Sequence, residues 1–226
     1  MNYLTLISLF ILAYLIGAIP FGFLLVRLTK GFDIRNVQSG RTGGTNTMRA
    51  AGFWAGLSTA LLDIAKGAVV VRIATLAPEF ENPWLLAIVP IFAILGHNYS
   101  VFLISRTPEG KIKIGGGAGG AVCLGGSIGL WWPSGIMIVA IAALIFYFIG
   151  YASITTLSIA FFSTVLFSIR AAIGLSPWAY ASYGVLALFL LIIALIPNIK
   201  SLIEGTERLH GFRTRNSKKN QTAPVS

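Results

Sequence analysis

The chain has 226 residues, of which 56% are hydrophobic and 11% are charged, and its formal net charge is +10. A soluble domain of this size cannot expose so much apolar surface, so the composition excludes one and indicates an integral membrane protein. The basic residues lie in short segments beside apolar stretches, which favours anionic lipid headgroups over nucleic acid as their partner.

Seven apolar stretches are long enough to cross a hydrocarbon core of about 30 Å as helices. They cover residues 3–26, 53–76, 84–105, 114–130, 133–150, 152–172 and 178–199. The first has no basic n-region and no small-residue cleavage site, so we expect a retained span rather than a secretory signal. The fourth is short, and no loop separates the fifth from the sixth at Gly150, so six or eight spans stay possible. We predict an all-α integral membrane protein with seven transmembrane helices in one polytopic domain, residues 1–210.

Lysine and arginine give the orientation of these helices. Of the 17 basic residues, 14 follow the first, third or last apolar stretch, which places them on one side of the membrane. By the positive-inside rule this side is cytoplasmic, so the N-terminus is predicted outside and the C-terminus in the cytoplasm. Residues 211–226 are polar and basic, which predicts a disordered cytoplasmic tail.

The segment "SGRTGGTNTMR" (39–49), before the second apolar stretch, is rich in groups that bind anions. Its glycines let backbone N–H groups approach a phosphate closely, its hydroxyl and amide side chains add hydrogen bonds, and Arg49 can make a bidentate contact. The helix that starts near Phe53 would add the positive end of its dipole. The alternative is a Gly/Ser/Thr turn whose arginines only set the topology.

Two later segments on the same side also carry polar groups. In "EGKIKIGGGAGGAVCLGG" (109–126), two lysines precede a run of glycines. That run suits either a backbone phosphate cradle or close helix packing, and packing is favoured from this segment alone. The segment "PNIKSLIEGTERLHG" (197–211) is a polar exit from the last stretch, typical of a juxtamembrane amphipathic helix.

Ionisable groups inside the apolar stretches are costly, so each needs an explanation. Asp63 and Lys66 are three residues apart, which predicts an ion pair on one helix face. His97 is interpreted as a buried histidine bonded to a neighbour rather than as a catalytic base. The single cysteine, Cys123, excludes an intramolecular disulfide, and nothing in the sequence forms a Ser/His/Asp triad or a set of metal ligands. We expect neither metal nor cofactor.

The order of these segments resembles one family. "GAIPFGFLLVRLTKGFDIRNVQSGRTGGTNTMRAAG" (17–52), "LLDIAKGA" (61–68), "GHNYSVFL" (96–103) and "NIKSLIEGTE" (198–207) resemble the bacterial acyl-phosphate:glycerol-3-phosphate acyltransferases. The resemblance implies transfer of a fatty acyl group from acyl phosphate to the 1-position of glycerol 3-phosphate, giving lysophosphatidic acid and phosphate. It also implies a site at the cytoplasmic face of the bacterial plasma membrane and names an acyl-phosphate-forming phosphotransacylase as a candidate partner.

The resemblance assigns most site residues by their match to the family's motifs. Ser39, Arg49 and Asn198 match residues with catalytic roles. The substrate-binding set is Gly40, Gly43, Thr45, Asn46, Gly116, Gly117, Gly119, Ser153 and Glu207. Lys111 and Lys113 join this set as substitutes for a lysine of the second motif, because they lie in extra residues just before it. The hypothesis that follows has the first motif hold acyl phosphate, while Arg49, assisted by Lys111 or Lys113, holds the phosphate of glycerol 3-phosphate.

Several positions depart from the family's motifs. Arg41 and Gly44 replace an Asn and an Ala of the first motif, and Ala118 stands where the second motif has a lysine. In the third motif Leu195 replaces a His and Ser201 replaces an Arg. The competing interpretation is therefore a divergent paralogue that binds a phosphorylated lipid or phosphoester with another acceptor or without turnover.

Overall fold

The computed structural model describes residues 3–209, which form nine α-helices and one two-stranded hairpin. The helices are α1 (Tyr3–Ala18), α2 (Phe21–Lys30), α3 (Gly44–Ala51), α4 (Phe53–Ala74), α5 (Pro83–Asn98), α6 (Gly120–Leu130), α7 (Ser134–Phe148), α8 (Ala152–Ala172) and α9 (Trp178–Ile203). The strands are β1 (Ile104–Arg106) and β2 (Ile112–Ile114). The predicted helical class is confirmed, whereas the predicted tail at 211–226 lies outside the described residues.

Four helical stretches of residues 3–209 have the length and apolarity to cross a membrane. They are Tyr3–Lys30, Pro83–Leu103, Ala152–Ala172 and Trp178–Ile203. Helix α4 is long enough, with 22 residues, but it carries three charged side chains. Helices α6 and α7 have only 11 and 15 residues. The count of seven spans and the external N-terminus therefore stay predictions.

The first apolar stretch is broken, contrary to the prediction of one helix over 3–26. Helix α1 ends at Ala18 and α2 begins at Phe21, because Pro20 has no N–H and its ring clashes with a continuing helix. The break leaves carbonyls without helical partners. Ser100 Oγ donates to the Ala18 carbonyl at 2.6 Å, and Lys66 Nζ donates to the Ile19 carbonyl at 2.9 Å. Side chains from two other segments thus stabilise the break.

Between α5 and α6 the chain forms a short 3-10 helix (Val101–Leu103) and a β-hairpin rather than an α-helix, so the prediction of a span beginning at residue 114 was wrong. Residues Ile104–Arg106 and Ile112–Ile114 pair as antiparallel strands, and Gly110 turns the chain with a φ of +78°. Residues 115–119 follow as a loop, and α6 begins only at Gly120. A run of glycines has little helix propensity, so the strand pairing and the loop's own contacts decide its conformation.

Glycines let α4 and α6 approach closely. A Cβ added at Gly125 would lie 2.0 Å from the Ile64 carbonyl oxygen, and one added at Gly67 would lie 2.3 Å from the Val122 carbonyl oxygen. Backbones this close are the small-residue packing seen between membrane helices. Packing is therefore the correct interpretation for Gly125, whereas the glycines at 115–119 belong to a loop and need another explanation.

Gly125→Ala should destabilise the α4–α6 pair. The new methyl would meet backbone, which cannot rotate away, so we expect a loss of about 1 to 3 kcal/mol or more from overpacking. The matched control is Gly135→Ala, whose Cβ would meet only the Ile128 side chain at 2.8 Å. Thermal unfolding in detergent should show a lower Tm for Gly125→Ala. Equal Tm values for the two variants would contradict this packing argument.

Candidate functional site

The loop before α3 is held by Asn46. Gly40 turns the chain with a φ of +66°, and Ser39 beside it is exposed. Asn46 is buried, and its Nδ2 donates to the Arg41 carbonyl at 2.8 Å and to the Val37 carbonyl at 3.0 Å. An amide nitrogen has two hydrogens, so none is left for a phosphate. Asn46 therefore fixes the loop, and its predicted contact with substrate stays a prediction.

The helix dipole near the polar loop belongs to α3, and not to the helix predicted to start near Phe53. The eight-residue helix α3 lies before α4, and Gly52, with a φ of +94°, separates the two. The N-cap residue of α3 is Gly43, which has no side chain to cap the helix. The N–H groups of Gly44 and Thr45 have no acceptor within the helix, and the dipole favours an anion there. The polar loop and this N-terminus together form a candidate anion site.

The glycine loop, residues 115–119, is bonded to the loop before α3. Thr42 N–H donates to the Gly116 carbonyl at 3.1 Å, and Arg41 Nη1 donates to the Gly117 carbonyl at 3.0 Å. A Cβ at Gly117 would lie 1.9 Å from His97 Nε2, so only glycine fits over that ring. The structure thus brings together the first two polar segments that the sequence predicts to act together.

A buried network lies beneath the glycine loop. Lys66 Nζ lies 2.8 Å from Asp63 Oδ1, so the predicted ion pair is confirmed. The same ammonium lies 2.9 Å from His97 Nδ1. An ammonium only donates, so Nδ1 accepts and the imidazole is neutral with its hydrogen on Nε2. The interpretation of His97 as a buried, hydrogen-bonded histidine is confirmed.

The third polar segment meets the start of α8. Ser153 Oγ donates to Glu207 Oε2 at 2.5 Å, and Ser153 N–H donates to Oε1 at 3.3 Å. Ser153 and Glu207, both predicted to bind substrate, therefore bind each other. Burial lowers the pKa of the Arg49 guanidinium, Arg208 lowers that pKa further, and Glu207 opposes the change. Arg49 thus lies within electrostatic reach of the segment at 207–208.

Other predicted residues lie at the edge of this region. Lys111 and Lys113 have exposed side chains on the hairpin. Asn198 is half-buried on α9, one turn beyond Ala194, whose carbonyl accepts a hydrogen bond from Arg41 Nη2. Sequence reasoning treated Arg41 as one of the arginines that set the topology and as a departure from a motif. One signal in the sequence could have identified Arg41 as a site residue. It is an extra arginine in the polar loop of a chain whose glycine run lacks the motif's lysine.

Arg41 links three elements of the structure. It extends from the loop before α3 to the glycine loop and to α9. Burial lowers the pKa of its guanidinium, and the nearby Tyr99 opposes this change. The guanidinium still carries its charge at neutral pH, because arginine is not deprotonated in proteins.

An apolar groove of about 470 Å³ runs between α1 and α5. Its lining includes Phe10, Tyr14, Phe92 and Tyr99, and the Tyr14 hydroxyl donates to the Tyr99 carbonyl at 2.7 Å. Tyr99 directly follows the histidine and asparagine that underlie the glycine loop. The groove therefore leads from the apolar part of the bundle towards the polar site.

Comparison with known proteins agrees over nearly the whole chain. The family model described as glycerol-3-phosphate acyltransferase matches residues 7–205. The glycerol-3-phosphate acyltransferase of one Thermus thermophilus strain is 36% identical over 204 residues, covering 90% of this chain and 94% of the relative. That of Bartonella quintana is 37% identical over 151 residues, covering 66% of this chain and 67% of the relative.

Solved structures show the same fold. The crystal structure of PlsY, an integral membrane glycerol 3-phosphate acyltransferase, in its glycerol 3-phosphate form superposes with a TM-score of 0.77 at 28% identity. The superposition covers 92% of this chain and 96% of that one. The lysophosphatidic acid form of PlsY gives a TM-score of 0.75 at 26% identity. This agreement and the apolar helices support a multi-pass membrane enzyme of phospholipid biosynthesis. The chain belongs to the glycerol-3-phosphate acyltransferase family.

Proposed function

We propose that this protein transfers a fatty acyl group from acyl phosphate to the 1-hydroxyl of glycerol 3-phosphate, at the cytoplasmic face of the bacterial plasma membrane. The products are lysophosphatidic acid and inorganic phosphate, and a phosphotransacylase supplies the donor. One observation carries the proposal: Arg41 and Thr42 join the loop before α3 to the glycine loop and to α9, while Ser153 on α8 holds Glu207 of the third polar segment. A cationic site next to an apolar groove suits these two substrates, because acyl phosphate has a phosphate and an acyl chain, whereas glycerol 3-phosphate has only a phosphate.

The donor is placed at the N-terminus of α3. Its phosphate accepts hydrogen bonds from backbone N–H groups near Gly43 and from the hydroxyls of Ser39 and Thr45, helped by the helix dipole. Gly40 keeps this turn free of a side chain. The acyl chain occupies the groove that ends at Tyr99. Donor phosphate and donor chain are then held by separate, chemically matched surfaces.

The acceptor is placed by Arg49 and Asn198. The guanidinium neutralises the phosphate of glycerol 3-phosphate, and the Asn198 amide orients the glycerol. The 1-hydroxyl oxygen attacks the acyl carbonyl carbon, and the bond from that carbon to the phosphate oxygen breaks. The leaving phosphate takes the electron pair, while the hydroxyl proton passes to a phosphate oxygen of the acceptor.

Position and charge account for the rate in this scheme. Acyl phosphate is an activated mixed anhydride with a good leaving group, so holding the two substrates in line removes much of the entropic barrier. Fixed donors then stabilise the charge that develops on the leaving phosphate. The Ser153 hydroxyl is already bonded to Glu207, and the Nδ1 of His97 is bonded to Lys66, so the scheme uses neither as a base.

The test is phosphate release from palmitoyl phosphate by the detergent-purified protein, with and without glycerol 3-phosphate. We expect release that depends on glycerol 3-phosphate, together with palmitoylated lysophosphatidic acid detected by mass spectrometry. A protein that binds palmitoyl phosphate without release, or releases phosphate equally without the acceptor, would show that the function is different. The specific observation favouring that alternative is Leu195, 2% exposed on α9 where the family's motif has a His.

Glu207→Gln should lower kcat/KM for acyl transfer by about 10-fold or more. The substitution removes the carboxylate that accepts from Ser153 and that lies within electrostatic reach of Arg49, and hydrogen bonds to charged groups contribute about 1.5 to 3 kcal/mol. The matched control is Glu204→Gln, because Glu204 is an exposed carboxylate in the same segment. Equal kinetics for the two variants would remove Glu207 from the site.

A further inference from the structure

We propose that Arg41 is a binding residue for the phosphate of glycerol 3-phosphate, and that its guanidinium acts at the junction of the glycine loop and α9. This inference rests on the proposed function and deepens it, because it assigns the acceptor phosphate a second cation besides Arg49. Neither the motif match nor the residue types of the glycine loop assign this role to Arg41.

The contacts of Arg41 leave it able to bind an anion. Nη1 donates to the Gly117 carbonyl at 3.0 Å, and Nη2 donates to the Ala194 carbonyl. A guanidinium has five N–H groups, so these two bonds orient it and leave three donors. The two backbone carbonyls thus hold the guanidinium group in one orientation. Its planar arrangement of N–H donors matches the geometry of a phosphate.

The charge of Arg41 has no nearby counter-ion among residues 3–209. Arg35 pairs with Asp33 and Lys66 pairs with Asp63, while the neutral ring of His97 lies 3.6 Å from Asp63. The buried carboxylate nearest the glycine loop is therefore already paired with Lys66. A partly buried cation without a counter-ion is unfavourable, and a bound anion removes that cost.

A second unused polar group lies under the same loop. Asn98 is 5% exposed, and neither Nδ2 nor Oδ1 has a hydrogen-bond partner among the described residues. A Cβ at Gly119 would lie 2.7 Å from Asn98 Oδ1, which places the amide beside the start of α6. Gly119 is the N-cap residue of that helix and has no side chain to cap it. A buried amide without partners is costly, and a phosphate oxygen is an acceptor that would satisfy Nδ2.

The position of Arg41 also compensates for two positions, 118 and 195, that lack the Lys and the His of the family's motifs. Ala118 follows Gly117, and Leu195 follows Ala194, so the two carbonyls that hold Arg41 adjoin the positions without the motif's Lys and His. One arginine from the loop before α3 therefore delivers a positive charge beside both. The long arginine side chain makes this possible, because it crosses from one segment to another while its head stays planar.

The test measures binding of glycerol 3-phosphate to the purified wild-type protein and its variants by isothermal titration calorimetry, without donor. Arg41→Gln should weaken binding about 10- to 100-fold, the effect of losing one charge-assisted phosphate contact. The matched control is Arg106→Gln, which removes one positive charge from an exposed hairpin position and should leave the Kd unchanged. Adding Ala118→Lys to Arg41→Gln should restore most of the affinity, because the lysine returns a cation next to Gly117.

The rescue separates binding from a merely structural role. If Arg41 only joined the loops, Arg41→Gln would lower the Tm, and a lysine at position 118 would restore neither Tm nor affinity; that result overturns the proposal. Wild-type affinity in Arg41→Gln, or loss of affinity only in Lys111→Gln/Lys113→Gln, overturns it as well. Tight wild-type binding that depends on Arg41, without phosphate release in the turnover assay, would support Arg41 while the proposed function fails.

Discussion

Lys66→Met should lower the free energy of unfolding by about 3 to 5 kcal/mol, the largest stability effect we expect from a single substitution. Lys66 is 4% exposed, and its ammonium contacts Asp63, His97 and the Ile19 carbonyl. Removing it leaves a buried carboxylate without its cation and a helix-end carbonyl without its donor. Breaking a buried pair by deleting one partner costs about this much. Unfolding in mixed micelles, followed by circular dichroism, measures the difference.

The control for this prediction is Asp63→Leu/Lys66→Met. Replacing both members of a buried ion pair with apolar residues of similar volume is often close to neutral, so the double variant should be much more stable than Lys66→Met alone. An equally unstable double variant would mean that the contacts to Ile19 and His97, rather than the charge of Asp63, account for the loss. Near-wild-type stability in Lys66→Met would contradict the network's structural role.

Arg49→Ala should reduce kcat for acyl transfer by about 10²- to 10³-fold while changing the Tm little. Arg49 is half-buried in the last turn of α3 and is close enough to Glu207 and Arg208 to feel their charges. In the proposed reaction its guanidinium faces the acceptor's phosphate and the charge that develops on the leaving group. Removing one fixed donor from such a site typically costs this much in rate. Steady-state phosphate release at saturating palmitoyl phosphate is the measurement.

Two variants make this result specific. Arg27→Ala removes an exposed arginine at the end of α2 and should leave kcat unchanged. Arg49→Lys keeps the charge but loses the bidentate geometry, so its kcat should fall between those of wild type and Arg49→Ala. Full activity in Arg49→Ala would remove this residue from the reaction. A large drop in Tm would instead assign Arg49 a structural role.

Particular elements show how far sequence reasoning reached. The spacing of Asp63 and Lys66 predicted their ion pair, because residues three apart share a helix face whatever surrounds them. The helices α8 and α9 were predicted to within four residues at each end, because long apolar stretches between polar segments leave few alternatives. The hairpin at 104–114 was missed, because two three-residue strands carry too little pattern to distinguish them from a helix end.

The candidate site divides in the same way. The motif order predicted which segments form it, and the structure brings the loop before α3 into contact with the glycine loop. The individual roles did not follow, because a side chain's hydrogen bonds depend on what tertiary packing places beside it. Asn46 is bonded to its own loop, and Ser153 is bonded to Glu207. An amide and a hydroxyl side chain can also bind a phosphate, so residue type alone did not distinguish the two roles.

The sequence by itself determined that this protein is a helical membrane protein and predicted which polar segments form the candidate site, because apolar length and local spacing are properties of the chain alone. Only the tertiary structure decided which hydrogen-bond donors are left without a protein acceptor and can bind a substrate. Arg41 extends from its loop to the carbonyls of Gly117 and Ala194, residues 76 and 153 positions further along the chain. Contacts between residues so far apart in sequence depend on how closely the glycines let the backbones approach. A local sequence pattern does not predict this distance between backbones.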